Sequence, residues 1–366
     1  MGMLAYGWLP VWALLGGMVL PKLFTREKGL NRQRQQWDIL PALLLVLPLI
    51  LFAGWRTDAL GDTALYRRQF LQLKPNFQTV CRAFRSGEKD PGYTVLSVLL
   101  KMLIGNRDVL FFLMIAAVQM ICVALVFRRY GWDYRLCIFL FVASTDYLSW
   151  IHNGMRQFLA VAIVFAGFRF LLEKRYLPMI LLILLASLFH GSALLMLPVI
   201  FLVQGKAWNI KMQLVLVLTA LIMVFIEPFT RLLSLILRHT PYAEVLENEI
   251  WASDDGVSAI RVLVYSVPAV LSLVGLRHVR SQEDPVIHLC VNCSVVTAAL
   301  YLVAMVSSGI YIGRLPIYTT LFGYMALPWL IDHIFEPRSA KLVRYCMLGL
   351  YFLFFVYQTV IVWGGA

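Results

Sequence analysis

A short polar stretch, WIHNGMRQFLA at 150–160, separates two runs of apolar residues. Asn153, Arg156 and Gln157 are spaced i, i+3 and i+4, so one continuous helix would present all three on a single face. A guanidinium stays charged and offers donors in a planar fork, which suits contact with phosphate. The spacing predicts a polar, phosphate-binding lining. Helix-end capping with a snorkelling arginine is the alternative, although it explains Asn153 and Arg156 better than the whole cluster.

A second polar break lies in LLASLFHGSALLML, where His190 stands between Ser187 and Ser192 in an apolar segment. A neutral imidazole can act as a base or orient a sugar hydroxyl. A hydrogen bond between helices at a turn explains an isolated histidine equally well.

A third cluster, WRTDALGDTALYRRQF, carries Arg56, Asp62 and Tyr66. If a helix starts after Gly61, Asp62 is a competent N-cap and faces the same way as Tyr66, and the local pattern favours this explanation. The functional alternative makes Asp62 a base or a sugar-binding carboxylate, with Arg56 nearby for phosphate.

The elements that position these residues are transmembrane helices. Of the 366 residues, 61% are hydrophobic and 14% charged, a balance that excludes a water-soluble globule of this length. Apolar runs approach the roughly 20 residues of a spanning helix and lack the alternation of barrel strands. The sequence predicts an all-α polytopic bundle forming a single integral membrane domain over residues 1–366.

Six short basic loops are assigned to the cytoplasm by the positive-inside rule. Both termini are then outside, the apolar start remains as the first span rather than a cleaved signal, and there are about twelve crossings. The loops are 21–37, 128–135, 173–176, 205–211, 277–284 and 336–344, and the spans fall near 4–20, 38–54, 108–127, 136–151, 158–172, 177–189, 191–204, 212–229, 261–276, 289–306, 319–335 and 346–363.

This topology leaves two long periplasmic loops, 54–108 and 230–260. In the first, TALYRRQFLQL and YTVLSVLLKMLIG have helical spacing and predict amphipathic interfacial helices, the second of which is alternatively re-entrant. Arg156 and Arg314, the latter in SSGIYIGRLPIY, lie in short outside turns that disfavour arginine, which makes each a candidate ligand for an anion. A headgroup anchor or a pair with Asp146 or Glu227 is as good an explanation for either one.

Other chemistry is disfavoured. Six cysteines give no disulfide framework, and no P-loop, dinucleotide fingerprint or zinc motif is found, so no metal or cofactor is expected. The net charge of +12 is spread over loops on both sides of a membrane, and anionic lipids and phosphates explain it better than nucleic acid.

In their order along the chain, GDTALY, NGMRQFLA, LLASLFHGSALLMLP and YIGRLPIY resemble the EpsG/Wzy-like membrane proteins of bacterial polysaccharide assembly. The resemblance covers roughly residues 50–330. It implies an inner-membrane, metal-independent polymerase that joins undecaprenyl-pyrophosphate-linked oligosaccharide repeat units into O-antigen or capsular chains at the periplasmic face. A chain-length regulator is left open as a further partner.

The resemblance carries over to eight residues, and Arg56 is added from its position. Arg156 and Arg314, with Arg56 as a third candidate, are expected to hold pyrophosphate, and either Asp62 or His190 to serve as base. The candidate catalytic and substrate-binding residues are Asp62, Tyr66, Asn153, Arg156, Gln157, His190, Ser192, Arg314 and Arg56.

Two other classes of function stay open on the sequence alone. A bundle of this size can transport a lipid-linked sugar or an anion, with the arginines as substrate ligands. The same architecture also serves a transferase that adds one sugar, or an acyltransferase in which His190 is the activating base.

Overall fold

The computed structural model describes residues 6–24, 37–85, 89–237 and 256–363. These residues form nineteen α-helices with short 3-10 and π turns, and they contain no strand. The chain divides into two compact units, Met1–Leu194 with Phe335–Ala366, and Leu195–Ile334. The prediction of an all-helical protein is confirmed for the described residues.

In the first unit, α2 packs between α1 and α6, and α6 in turn packs against α9. These helices are mainly apolar, and they bury small residues such as Ala42, Ala116 and Ala124 against one another, as helices in a lipid solvent do. The helices are α1 (Leu9–Phe24), α2 (Ile39–Gly54), α3 (Thr63–Gln72), α4 (Phe77–Arg85), α5 (Pro91–Ile104), α6 (Asp108–Tyr130), α7 (Tyr134–Ala143), α8 (Asp146–Asn153), α9 (Met155–Ala166), α10 (Phe168–Leu172), α11 (Tyr176–Ser187) and α19 (Pro337–Val356).

Several predicted spans are broken helices. The span at 136–151 is divided where Thr145 takes a left-handed φ of 68°, and the span at 158–172 is divided at Gly167. Gly154, with φ −140°, ends α8 before α9 begins. The prediction that one continuous helical face presents Asn153, Arg156 and Gln157 is therefore wrong, because a glycine with low helix propensity follows Asn153.

The loop at 54–108 contains the two predicted helices as α3 and α5. A third helix, α4, lies between them and leaves Phe77 and Phe84 exposed while ending in two arginines. Sequence reasoning missed α4 because its nine residues are fewer than the window of about 11–18 residues in which helical periodicity is recognised.

The second unit is arranged around one long buried helix, Pro285–Met305, which contacts four other α-helices. A bend of 99° between Ile210–Val224 and the helix that follows replaces the straight span predicted at 212–229. The helices are α12 (Met196–Leu202), α13 (Ile210–Val224), α14 (Ile226–Leu237), α15 (Ala259–Val274), α16 (Leu276–Ser281), α17 (Pro285–Met305) and α18 (Ile317–Ile334).

Three helical segments are each long and apolar enough to cross a membrane, namely Asp108–Tyr130, Pro285–Met305 and Pro337–Val362, and the bent pair α13–α14 would add a fourth. Eight further apolar helices have 10–17 residues. Twelve crossings and their orientation stay predictions. Most of the basic loop 21–37 and of the loop 230–260 lies outside the described residues.

Candidate functional site

Two of the sequence motifs, GDTALY and NGMRQFLA, meet in the first unit. The backbone N–H of Asp62 donates to the carbonyl oxygen of His152 at 3.1 Å. Gly61, with a left-handed φ of 51°, lies so close to Asn153 that a Cβ at position 61 would be 1.7 Å from Asn153 Oδ1. GDTALY and NGMRQFLA are thereby held together, and the glycine is required both by its backbone conformation and by the lack of space.

The motif LLASLFHGSALLMLP joins these two through side chains. Gln157 Nε2 donates to Ser192 Oγ at 3.2 Å, and Ser192 Oγ lies 2.6 Å from His190 Nδ1. The structure therefore brings Asp62, Asn153, Gln157, His190 and Ser192 into one connected cluster.

Arg156 has a different set of partners from those the sequence offered. Its guanidinium donates to Asp90 Oδ2 at 3.2 Å and to Gln69 Oε1 at 2.7 Å. It also lies over the rings of Tyr93 and Tyr66, at 4.6 and 5.5 Å from their centroids. The Arg156 side chain keeps 26% of its surface exposed, so it remains accessible to a ligand.

Asp90 is a site residue that sequence reasoning missed. It lies at the N-cap position of α5 and is 5% exposed, and its Oδ1 has no hydrogen-bond partner among the described residues. Burial raises the pKa of Asp90, and the positive charge of Arg156 opposes that rise only in part.

Two backbone features fix Asp90 in place. Pro91 starts α5, a position where its missing N–H costs nothing. Gly92 donates its N–H to the Leu188 carbonyl oxygen at 2.8 Å, and a Cβ at Gly92 would lie 2.8 Å from Leu188 Cβ. The start of α5 thus rests directly on the segment that carries His190. The sequence feature that could have identified Asp90 as the start of a helix is the Asp-Pro-Gly before an apolar helical run.

A cleft of about 660 Å³ opens beside the Arg156–Asp90 pair. Asp90 is the one carboxylate among its described lining residues, whereas four cations line it, Lys74, Arg82, Lys89 and Arg156. Further polar lining comes from amide side chains, Gln69, Gln72, Asn76 and Gln78, and from the hydroxyl side chains Thr79, Tyr93, Thr94 and Ser97. The excess of positive charge suits an anionic ligand, and the amides offer donors and acceptors to hydroxyl groups.

Lys101 holds two walls of the cleft together. Its Nζ donates to the carbonyl oxygens of Phe70 and Leu71 at 2.7 and 2.6 Å, at the C-terminus of α3. Since α3 carries Gln69 and α5 begins beside Asp90, this contact fixes the spacing of two groups that bind Arg156.

Arg56 is 3% exposed and is not among the lining residues of the cleft. It donates to the carbonyl oxygen of Ile151 and to Met155 Sδ, and its guanidinium lies 3.7 Å from the ring centroid of Phe112. Burial lowers the pKa of Arg56 to about 10, so the side chain stays charged at neutral pH. These contacts connect the end of α2 to the break between α8 and α9.

Two other predicted residues have distinct positions. Tyr66 is buried beneath Arg156. Arg314 is exposed and lies in the 3-10 turn Ile312–Arg314 of the second unit. Its participation with Arg156 in one pyrophosphate site stays a prediction.

The helical segments that are long and apolar enough to cross a membrane indicate a membrane protein. The cation-rich, amide-bearing cleft of its first unit suits an anionic, hydroxyl-bearing ligand. The chain matches the EpsG family over residues 39–364 and belongs to that family. The resemblance seen in the motifs is thereby confirmed. No curated protein and no solved structure matches it.

Proposed function

We propose that this protein polymerises undecaprenyl-pyrophosphate-linked oligosaccharide repeat units into O-antigen, capsular or related polysaccharide. Membership of the EpsG family supports a membrane protein of the polysaccharide-polymerase type. The reaction joins two lipid-linked substrates without a nucleotide sugar, and we place it at the periplasmic face of the bacterial inner membrane.

The observation that carries the proposal is the position of Arg156 at the cleft. Its guanidinium is held by Asp90, Gln69 and two tyrosine rings, yet it remains partly exposed among further cations. A fixed, charged donor of this kind stabilises the negative charge that develops on a departing pyrophosphate. The amide-rich lining supplies partners for sugar hydroxyls.

The other predicted residues fall into three groups. His190, Ser192, Gln157, Asn153 and Asp62 are not among the lining residues of the cleft, and they are proposed to position a part of the oligosaccharide beyond it. Tyr66 supports the Arg156 guanidinium from below. Arg56 has only protein partners, and we assign it the structural task of fixing the α8–α9 break that carries Arg156.

The test is a reconstitution of the purified protein in lipid vesicles with undecaprenyl-pyrophosphate-linked repeat units. A ladder of longer chains with release of undecaprenyl pyrophosphate is the expected result. Unchanged units that move between leaflets would instead identify a transporter, and a single added sugar or an acyl-donor requirement would identify one of the other transferases.

A further inference from the structure

We infer that Asp90 is the general base that removes the proton from the attacking sugar hydroxyl. This inference rests on the proposed function, since it assigns a residue to that reaction.

The geometry of the carboxylate suits this task. Asp90 lines the cleft, and its two oxygens differ, because Oδ2 accepts from Arg156 while Oδ1 has no hydrogen-bond partner among the described residues. A buried carboxylate oxygen without a donor is unfavourable. Oδ1 is covered in this structure, so a ligand hydroxyl reaches it when the entering ligand displaces the side chains that cover it.

The chemistry requires a base close to the cation that binds the leaving group. The acceptor oxygen forms a bond to the anomeric carbon while the bond from that carbon to the pyrophosphate oxygen breaks. The pyrophosphate leaves with the electron pair, and the hydroxyl proton passes to Asp90 and then to the released pyrophosphate or to water. Because attacking and leaving oxygens share one carbon, a base and a cation that are in direct contact can serve both.

The hydrogen bonds of His190 give it a different role. Gln157 donates to Ser192 Oγ, so the Ser192 hydroxyl proton is directed to His190 Nδ1. A neutral His190 then carries its own proton on Nε2 and offers a donor rather than a base to a ligand. Asp62, the other predicted base, is not among the lining residues of the cleft.

The surroundings of Asp90 determine the expected pH dependence. Burial raises its pKa, and Arg156 on α9, the neighbouring Lys89 and the Gly191 amide oppose this, while Tyr93 lies next to Arg156. A base must be deprotonated, so the rate falls as the pH decreases through the pKa of Asp90. That acidic limb is expected at a higher pH than the value of about 3.9 for an exposed aspartate.

The experiment compares the wild type with Asp90→Asn, Asp90→Glu and Asp62→Asn in the polymerisation assay between about pH 4.5 and 8. Glu173→Gln serves as the control, because Glu173 pairs with Arg169 outside the cleft. Binding of undecaprenyl pyrophosphate is measured separately by thermal shift.

The Asp90→Asn variant is expected to lose about 10²- to 10⁴-fold in rate while still binding undecaprenyl pyrophosphate. Asp90→Glu should recover part of the rate with a displaced acidic limb. Asp62→Asn should keep the wild-type limb.

The inference is overturned if Asp90→Asn keeps the wild-type rate, or if Asp62→Asn rather than Asp90→Asn removes the acidic limb. If Asp90→Asn does not fold, the glutamate variant decides, since an unchanged limb in an active Asp90→Glu protein excludes the role. A wild-type protein that makes no longer chains would count against the proposed function instead, so the two failures are distinguishable.

Discussion

The buried polar groups at the cleft of the first unit differ in their hydrogen bonding from those on helix α17 of the second unit. In α17, the Asn292 side chain accepts from the Trp208 backbone N–H at 3.0 Å and donates to the Val203 carbonyl oxygen at 2.9 Å. His288 Nδ1 accepts from the backbone N–H of Ala207 at 3.2 Å, and His288 Nε2 lies 2.9 Å from the Gln282 carbonyl oxygen. These two side chains hold the segment that contains Val203, Ala207 and Trp208 against α17. Their hydrogen bonds are made to the protein itself, so no ligand is needed to complete them.

At the cleft, by contrast, two buried polar atoms of lining residues lack hydrogen-bond partners among the described residues, Asp90 Oδ1 and Arg156 Nε. Outside the cleft lining, Arg56 Nε and both ring nitrogens of His152 also lack them. Buried polar groups are costly unless they are satisfied, so the two atoms of the Arg156–Asp90 pair indicate a site at which a ligand can supply the missing partners. A polar residue in an apolar helix can therefore either hold the fold together or bind a ligand. Its hydrogen-bond partners show which of the two roles it has.

The largest effect is expected for Arg156→Ala. Loss of a fixed donor at the leaving group should reduce polymerisation per folded molecule by about 10²- to 10³-fold. The free energy of unfolding should also fall, because the buried carboxylate of Asp90 loses its ion-pair partner. Arg156→Lys should rescue poorly, because an ammonium cannot reproduce the planar fork. Chain-length analysis on gels gives the measurement, with Arg169→Ala, an exposed arginine, as the control. Full activity of Arg156→Ala would end its assignment to the site.

A stability effect without an activity effect is expected for Asn292→Ala. The Trp208 N–H and the Val203 carbonyl oxygen would lose their partner, which should lower the free energy of unfolding by about 2–4 kcal/mol. The folded fraction should polymerise normally. Ser294→Ala is the control, because the Ser294 hydroxyl bonds only to the Cys290 carbonyl oxygen of its own helix. Denaturation in detergent measures both, and equal stabilities would contradict the architectural role of Asn292.

A smaller effect on the rate is expected for Ser192→Ala. Without the hydroxyl, His190 Nδ1 loses its 2.6 Å partner and keeps the longer, 3.4 Å contact with the backbone N–H of residue 192. The rate should fall about 5- to 30-fold, equivalent to 1–2 kcal/mol. The loss should appear in kcat more than in KM if His190 acts as a donor during the reaction. Ser187→Ala is the control, since Ser187 donates to Leu184 on its own helix. Similar rates in both variants would argue against a role for the hydrogen bond between Ser192 and His190 in the reaction.

The smallest effect is expected for His152→Phe. The ring contact with Tyr6, 5.4 Å between centroids, should survive, and two buried nitrogens without partners would be removed. The stability should stay the same or rise by about 1 kcal/mol. His288→Phe makes the matched comparison, because it removes two satisfied nitrogens and should destabilise by about 1–3 kcal/mol. A large loss of stability in His152→Phe would mean that its nitrogens are satisfied in solution.

Local patterns predicted much of this site. The three motifs that drew attention as polar breaks do meet, and α3 starts after Asp62 as the N-cap pattern predicts. The Asp62 side chain itself makes no cap hydrogen bond, so the predicted capping contact is absent at that residue. Hydropathy predicted most of the helices. Spacing failed at Asn153, because the i, i+3, i+4 rule assumes a continuous helix and Gly154 interrupts it.

The partner of Arg156 was beyond the reach of sequence reasoning. Asp90 is separated from it by 66 positions, and local spacing contains no information on such pairs. The sequence offered Asp146 and Glu227 as partners because they were the acidic residues nearest to predicted membrane segments. Asp90 was overlooked because it is followed by a strongly apolar helix, α5, whose hydropathy dominated the interpretation of that loop.

The contact of Lys101 with the end of α3 has a mechanical consequence. Two charge-assisted hydrogen bonds, each contributing about 1.5–3 kcal/mol, make separation of α3 from α5 rare. These two helices are therefore expected to move as one body when a bulky glycan enters the cleft. Because Gly92 at the start of α5 donates to the Leu188 carbonyl oxygen, the segment before His190 is expected to move with them.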